Sequence, residues 1–369
     1  MNVLISTEPD DVHAILTKLA LEEKSHQCSL WFTADMPTKQ TNSIFFSNEQ
    51  QAWLLENESQ QPLTNHHDID IVWWRRARRP FIGNNFAKGD QEFIRKENTF
   101  FHDGIPLVLA NDAFWINPYD AISRANSKLF QLKLALQCGF KIPPTLISNS
   151  PERIKYFLNQ YEHEQAVYKP LSAHHWYEKD VLRMFYTKTI CKEQLPSNEI
   201  LQLTPGIFQK YIKKKYELRI TCFGTHSVAA KIASQEHPQG LNDWRYIPPL
   251  ELKVEPYKLP YSLEKKIQNF MDALGIVFGC FDFIVTPEGD YYFLEVNQQG
   301  QFLWIEDCCP TIKMLDKFVK FILNRDAYFN WKDKETISLA DYEEKAAVVV
   351  YENMQKHIML NALKKTEAA

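Results

Sequence analysis

FGCFDFIVTPEGDYYFLEVN, running from Phe278 to Asn297, sets three oxygen ligands into two apolar strands. Successive side chains of a strand alternate faces, so Glu295 and Asn297 point one way while Leu294 and Val296 are expected to bury the other side. Pro287-Glu288-Gly289-Asp290 supplies the turn, and the hairpin it closes brings Asp282 beside the Glu295 and Asn297 pair. Two carboxylates and an amide oxygen make a hard, anionic set of the kind that holds magnesium against phosphates. A surface hairpin with solvated acids would not carry so apolar a flank.

Upstream of this hairpin the chain is rich in strands, at Ile207–Ile212, Glu217–Phe223 and Ser227–Ala233, with a helix predicted over Ser262–Leu274. Residues 1–116 instead alternate strand and helix patterns, the mark of a small α/β layer domain. Val3-Leu4-Ile5, Ser29–Phe32 and Asp70–Trp74 read as strands, and Val12, Ile15, Leu16, Leu19 and Ala20 fall at helical spacing. Gln91–His102 reads as a helix broken by Gly104-Ile105-Pro106, with Leu107–Ala110 a buried strand after it. A second unit, 117–206, opens with one helix over Ala121–Gly139 and continues through a helix at Pro151–Tyr161 to a strand ending in Lys169. A third, 207–328, holds the hairpin. In the last, 329–369, Tyr342–Lys365 reads as a charged helix able to cap the fold or join two copies as a homodimer.

Composition restricts the function classes. With 45% hydrophobic and 24% charged residues and a formal charge of -4, the chain reads as an ordinary globular protein without the basic excess of a nucleic-acid binder. No apolar run is long enough to cross a bilayer, and the N-terminus has no charged lead or cleavage site, so a cytoplasmic protein is expected. Seven cysteines without a C-x-x-C spacing fit reduced thiols, the Cys308-Cys309 pair included. His66-His67 and His174-His175 have no partner at metal-ligand spacing.

A magnesium–phosphate site needs cations as well as acids. Lys128 opens a helix and Lys169 ends a strand, and with the acidic hairpin downstream the two are candidate clamps for a triphosphate. There is no G-x-x-x-x-G-K-[ST], no G-x-G-x-x-G after a strand and no H-R-D catalytic loop, which excludes the commoner nucleotide frames. In Arg75-Arg76-Ala77-Arg78-Arg79-Pro80 the arginines suit a peptide carboxylate, an acidic peptide or nucleic acid, and Arg78 and Arg79 equally suit a solvated loop. Trp304 reads as packing beneath the hairpin.

These residues, in this order, resemble the ATP-grasp superfamily of carboxylate ligases over about 117–325. The resemblance implies α/β and α+β architecture, an N-terminal pre-ATP-grasp α/β domain followed by a two-lobed ATP-grasp fold with ATP between the lobes. It implies phosphate contacts for Lys128 and Lys169, and two magnesium ions on Asp282, Glu295 and Asn297. It implies an adenine-reading hinge at Phe208-Gln209-Lys210-Tyr211-Ile212, a ribose-binding acid at Glu217, and catalytic positive groups at Arg219 and Lys231. Glu295-Val296-Asn297-Gln298-Gln299-Gly300-Gln301-Phe302-Leu303-Trp304-Ile305-Glu306 is similar to the segment typical of graspetide synthetases. Ile71–Arg76 and Asn242-Asp243-Trp244-Arg245-Tyr246 resemble two further signatures of theirs. That narrower likeness implies a precursor peptide with leader and acidic core as partner, Arg75, Arg76 and Arg245 as substrate contacts, and ester or amide ring closure. Adding a free amino acid to a peptide or protein end, or binding ATP without chemistry, are the other readings. Two positions depart from the pattern. Ser172–Glu178 has no glycine where a phosphate loop is usual, and Cys280 stands where some ligases carry an arginine.

Overall fold

Three parallel pairings and a bulged hairpin position everything that follows. The computed structural model describes residues 1–49, 51–57, 62–63, 68–83, 86–110, 112–161, 166–172, 175–178, 181–184, 187–329, 334 and 336–360, with the backbone alone over 51–57, 62–63, 175–178 and 181–184. The first unit contains β1 (Asn2–Ser6), α1 (Val12–Glu23), β2 (Gln27–Trp31), β3 (Gln40–Phe46), β4 (Gln51–Asn57), β5 (Pro62–Leu63), β6 (Ile71–Trp74), α2 (Lys88–Val108) and β7 (Phe114–Ile116). β2, β1, β6 and β7 lie side by side in that order, each pair parallel. Strands covered on both faces read as continuous apolar runs, and Ile71–Trp74 is buried at every position. β3, β4 and β5 form a separate antiparallel sheet.

The strand expected at Leu107–Ala110 is corrected. α2 continues through Pro106 to Val108, and the strand is β7 instead. Ile105 and Pro106 are buried while Leu107 is exposed, so this apolar run is the inward side of a helix end. Proline there removes one hydrogen bond to the preceding turn without ending the helix. The single helix expected over Ala121–Gly139 is also two, α3 (Tyr119–Asn126) and α4 (Lys128–Gln137). Ser127 between them is extended and its hydroxyl accepts from the Phe130 amide, a cap that starts α4 at Lys128.

The next lobe comprises β8 (Thr145–Ser148), α5 (Pro151–Asn159), β9 (Ala166–Lys169), β10 (His175–Glu178), β11 (Val181–Met184), β12 (Lys188–Ile190), α6 (Asn198–Leu203) and β13 (Gly206–Lys210). Its antiparallel sheet runs β12-β9-β13-β8, with β10 and β11 a separate hairpin. Ile154, Phe157, Leu158, Ala166, Leu201 and Phe208 form a small core of its own.

The last lobe is a five-stranded antiparallel sheet, β16-β15-β14-β17-β18, built from β14 (Tyr216–Phe223), β15 (His226–Ile232), β16 (Val254–Tyr257), β17 (Phe278–Val285) and β18 (Tyr291–Asn297). α7 (Tyr261–Leu274) packs with α3 and α4 on one face. On the other face, at the Phe223 and Phe278 end, the sheet shares one core with the N-terminal sheet and with α9 (Met314–Asn324), which follows α8 (Trp304–Cys308). The helix expected over Tyr342–Lys365 is α10 (Glu343–Lys356), which ends before His357; residues 361–365 lie outside the described residues.

The hairpin's pairing slips by one residue. Asp282 faces Glu295, but Phe283 faces Phe293, so Leu294 is the extra residue of a bulge. Phe293 and Val296 therefore share the buried face and Leu294 does not, against the strict alternation expected from the sequence. Without the bulge, Glu295 and Asn297 would lie on the same side as Phe293.

Candidate active site

Cross-strand partners share a face, so the pairings Arg219 with Asp282 and Asp282 with Glu295 put these three side chains in one row across β14, β17 and β18. Arg219 Nη1 donates to both oxygens of Asp282, at 2.8 and 2.7 Å, and Nη2 donates to the Gln301 carbonyl at 2.8 Å. Lys128 Nζ lies 3.1 Å from Glu295 Oε2. Asn297 Nδ2 stands 3.4 Å from Asp282 Oδ2. Lys169, at the end of β9, reaches the same cluster from the other lobe.

Electrostatics distinguish the two acids. Burial raises the Glu295 pKa, but Lys128 and Lys169 outweigh it and the net shift is down. Burial raises Asp282, with the Glu295 charge adding to it, and Arg219 does not fully offset them. Burial also pulls Lys169 down, which Glu295 partly offsets. Two carboxylates opposed on one face, one of them held up by the other's charge, are a pair that a divalent cation relieves. Asp282, Glu295 and the Asn297 amide oxygen therefore fit magnesium chemically. Among the described residues no group of three or more His, Cys, Asp or Glu is placed to hold a metal ion.

Glu217, two residues before Arg219, shares its face of β14. Burial raises its pKa, opposed by Lys214, whose Nζ donates to Glu217 Oε1 at 2.7 Å and to the Asn242 carbonyl at 3.0 Å. Lys214 is only 6% exposed, and the sequence reading passed it over as one of three consecutive lysines. Tyr211 and Ile212 lie half-buried in the loop joining β13 to β14, where burial and the charge of Glu217 raise the Tyr211 hydroxyl. The Gln209 side chain turns away and donates to Thr145 Oγ1 at 2.9 Å. Arg245 is held by Asp243, with Nε 2.8 Å from Oδ1, and its charge acts on both Asp282 and Glu295.

Two expectations are corrected. Lys231 pairs across from Leu218, on the helix-covered face of the sheet, and lies 3.0 Å from Glu255 and over the Tyr216 ring. It is not part of the cluster. Lys231→Ala is therefore expected to leave turnover within about twofold of the unsubstituted chain, since it touches none of the clustered groups, and to cost at most about 1 kcal/mol of stability at the pair with Glu255; steady-state rates and a thermal melt check this. Arg75 is fully buried rather than open to substrate. It pairs with Asp11 and donates to the Gln299 carbonyl and, at 2.7 Å, to that of Gly300. Arg76 stays partly exposed, 3.5 Å from Glu8.

Arg75 and a residue the sequence did not signal, His13, hold the segment that follows Asn297. His13 Nε2 accepts from the amides of Phe302 and Leu303 at 3.0 and 3.1 Å, and burial and the Arg75 charge keep the ring neutral, well below the usual histidine range. Arg78 and Arg79 are ion-paired with Glu8 and Asp103. Trp304 stacks on Trp244 with centroids 4.6 Å apart. Cys308 and Cys309 are free, half-buried thiols. Of the segment without glycine, residues 173–174 lie outside the described residues, as do His66 and His67. No described helix is long and apolar enough to cross a membrane.

No family model matches the chain. Solved structures do. The macrocyclase MdnC of Microcystis aeruginosa MRC, solved bound with precursor peptide MdnA, is 30% identical, covering 88% of this chain and 100% of its own, with a TM-score of 0.76. A RiPP-associated ATP-grasp ligase of Chryseobacterium gregarium, solved with ADP and a leader and core peptide, is 26% identical, covering 91% of this chain and 99% of its own, with a TM-score of 0.77. The α-aminoadipate–LysW ligase LysX of Sulfurisphaera tokodaii is 23% identical over 231 residues, 58% of this chain and 74% of its own length. With a fold shared over 88 to 91% of its length, and acids and lysines converging where two lobes meet, this chain is an enzyme that belongs to the ATP-grasp ligases, among the RiPP-associated ligases and macrocyclases.

Proposed function

We propose that the chain activates Asp or Glu side chains of a ribosomally made precursor peptide with ATP and closes ester or amide rings. The observation that carries this is the row Arg219–Asp282–Glu295, faced by Lys128 and Lys169 and by the Asp243-held Arg245. ATP lies between the units 117–206 and 207–328, its adenine read by the backbone of Gln209–Ile212 and its ribose by Glu217. Lys128 and Lys169 hold the phosphates. Asp282, Glu295 and Asn297 would hold magnesium, two ions in this reading, and the metal offsets phosphate charge when bound.

Arg245 presents the peptide carboxylate, whose oxygen attacks the γ-phosphorus; the bond to the bridging oxygen of ADP breaks and an acyl phosphate remains. Arg219 and the lysines stabilise the charge that moves. A Ser or Thr hydroxyl or Lys amine of the same peptide then attacks the acyl carbon, loses its proton, and phosphate departs. The peptide loses one water per ring while ATP becomes ADP and phosphate. Hydrolysis competes, so the site must hold the nucleophile close and exclude solvent.

Mass spectrometry of an acidic, Thr- or Lys-bearing peptide after incubation with ATP, magnesium and a mixture of free amino acids tests this. Loss of water with ADP release is the expected result. A gain of one amino-acid residue would show a ligase of the kind named by LysX, and no ADP release would show a binding protein.

A further inference from the structure

Lys214 is the least explained charge near the site. It is a buried ammonium between two groups that serve different ligands in the proposed reaction, Glu217 on the nucleotide side and, at the Asn242 carbonyl, the segment that carries Arg245. The next residue, Asp243, is itself buried. One of its oxygens grips Arg245 Nε and accepts the Arg245 amide at 3.1 Å; the other lies 3.4 Å from the Thr187 amide, just before β12 of the opposite lobe. The Arg245 charge in turn falls on Asp282 and Glu295.

We propose that Lys214 is a positioning residue that couples nucleotide occupancy at Glu217 to the aim of Arg245 at the peptide carboxylate. This rests on the reading of Glu217 as the ribose acid and Arg245 as a substrate contact. Ribose hydroxyls donating to Glu217 fix its carboxylate and so the ammonium bonded to it. The ammonium fixes the Asn242 carbonyl, one bond from the residue that orients Arg245. A bound carboxylate on Arg245 restrains the same chain from its other end, so nucleotide and peptide must tighten each other by one common factor. A structural lysine that only filled space would show no such reciprocity.

The test measures anisotropy of a fluorescein-labelled peptide of alternating Thr and Glu, with and without AMPPNP and magnesium. The unsubstituted chain is expected to bind the peptide about tenfold more tightly with nucleotide present. In Lys214→Met each ligand still binds, but the ratio falls within about twofold of one; Lys214→Arg, which keeps a donor at both ends, retains at least half of the coupling. In turnover, Lys214→Met raises the peptide KM measured at saturating ATP more than it lowers kcat. If Lys214→Met does not fold, Lys214→Gln, neutral but still a donor, carries the same comparison with Glu217 left in place. Tenfold coupling surviving in either neutral variant overturns the proposal for Lys214 alone. Failure of the unsubstituted chain to bind nucleotide or peptide strikes the functional reading and the proposal with it.

Discussion

Asp282→Asn and Glu295→Gln are each expected to lower peptide-product formation about a thousandfold and to leave the fold intact. Both changes remove one negative charge with almost no change of volume, at side chains that are partly exposed. Neither acid carries the fold. Arg219 keeps its bond to the Gln301 carbonyl when Asp282 becomes neutral, and Asp282 is partly exposed, so the loss should stay below the 3–5 kcal/mol of a fully buried pair. In Glu295→Gln, Lys128 and Lys169 lose the anion that now lowers their mutual repulsion. The check is turnover by mass spectrometry beside a thermal melt. Undiminished turnover in either variant would end the metal assignment, and a collapsed melt would make these residues structural.

Arg75→Met should instead cost about 3–5 kcal/mol of stability, because it strands a buried carboxylate. Asp11 is 2% exposed, accepts from the Thr7 hydroxyl and pairs with Arg75, whose side chain has no exposure at all. Burial alone would raise the Asp11 pKa; the charge of Arg75 and its hydrogen bond outweigh this and hold it well below the ordinary carboxylate range. The sign follows. A group with a depressed folded pKa contributes its stability fully above its unfolded pKa, about 4, and loses it as pH falls towards the folded value. Denaturant unfolding should therefore show the gap between Arg75→Met and the unsubstituted chain at its widest near neutrality, narrowing as pH falls through the raised pKa that burial alone gives Asp11 in the variant and on towards the depressed one it has when paired. A gap that did not narrow in acid would refute the pairing. Arg75→Met/Asp11→Leu, apolar on both sides, should recover most of the loss. Activity should not recover with it, since Arg75 also ties down Gln299 and Gly300, next to Asn297.

Patterning made most of the elements legible. Asp70–Trp74 and Glu217–Phe223 read as strands from their residue types and form β6 and β14, though burial on both faces of β14 was not legible in its sequence. Where two local rules competed, sequence reading failed. Gly104-Ile105-Pro106 reads as a breaker although a helix near its end tolerates the lost bond, and the run Ala121–Gly139 reads as continuous although the helix that Lys128 opens is a separate one, capped by Ser127. Lys231 was placed at the site by resemblance, yet an even offset along β15 from Ala229 turns it to the far face. Lys214 was missed for the opposite reason. Nothing in a run of three lysines says which one is buried.

By itself, then, the chain's sequence determined which residues can do the chemistry: acids and an amide in a hairpin, a lysine opening a helix, another ending a strand. These are local properties, set by side-chain type and by periods of two and 3.6 residues, and they survive reading one segment at a time. Tertiary structure decided which of those residues meet. The bulge at Leu294 turns Glu295 and Asn297 to the Asp282 face, and Arg75, just after β6, and His13, in α1, hold the backbone just beyond them. The reason is physical. A buried charge finds its partners far along the chain, Arg75 at Asp11 64 positions away and at Gly300 225 away, and whether a hairpin bulges depends on what packs on its two faces, which strict alternation along one strand does not contain.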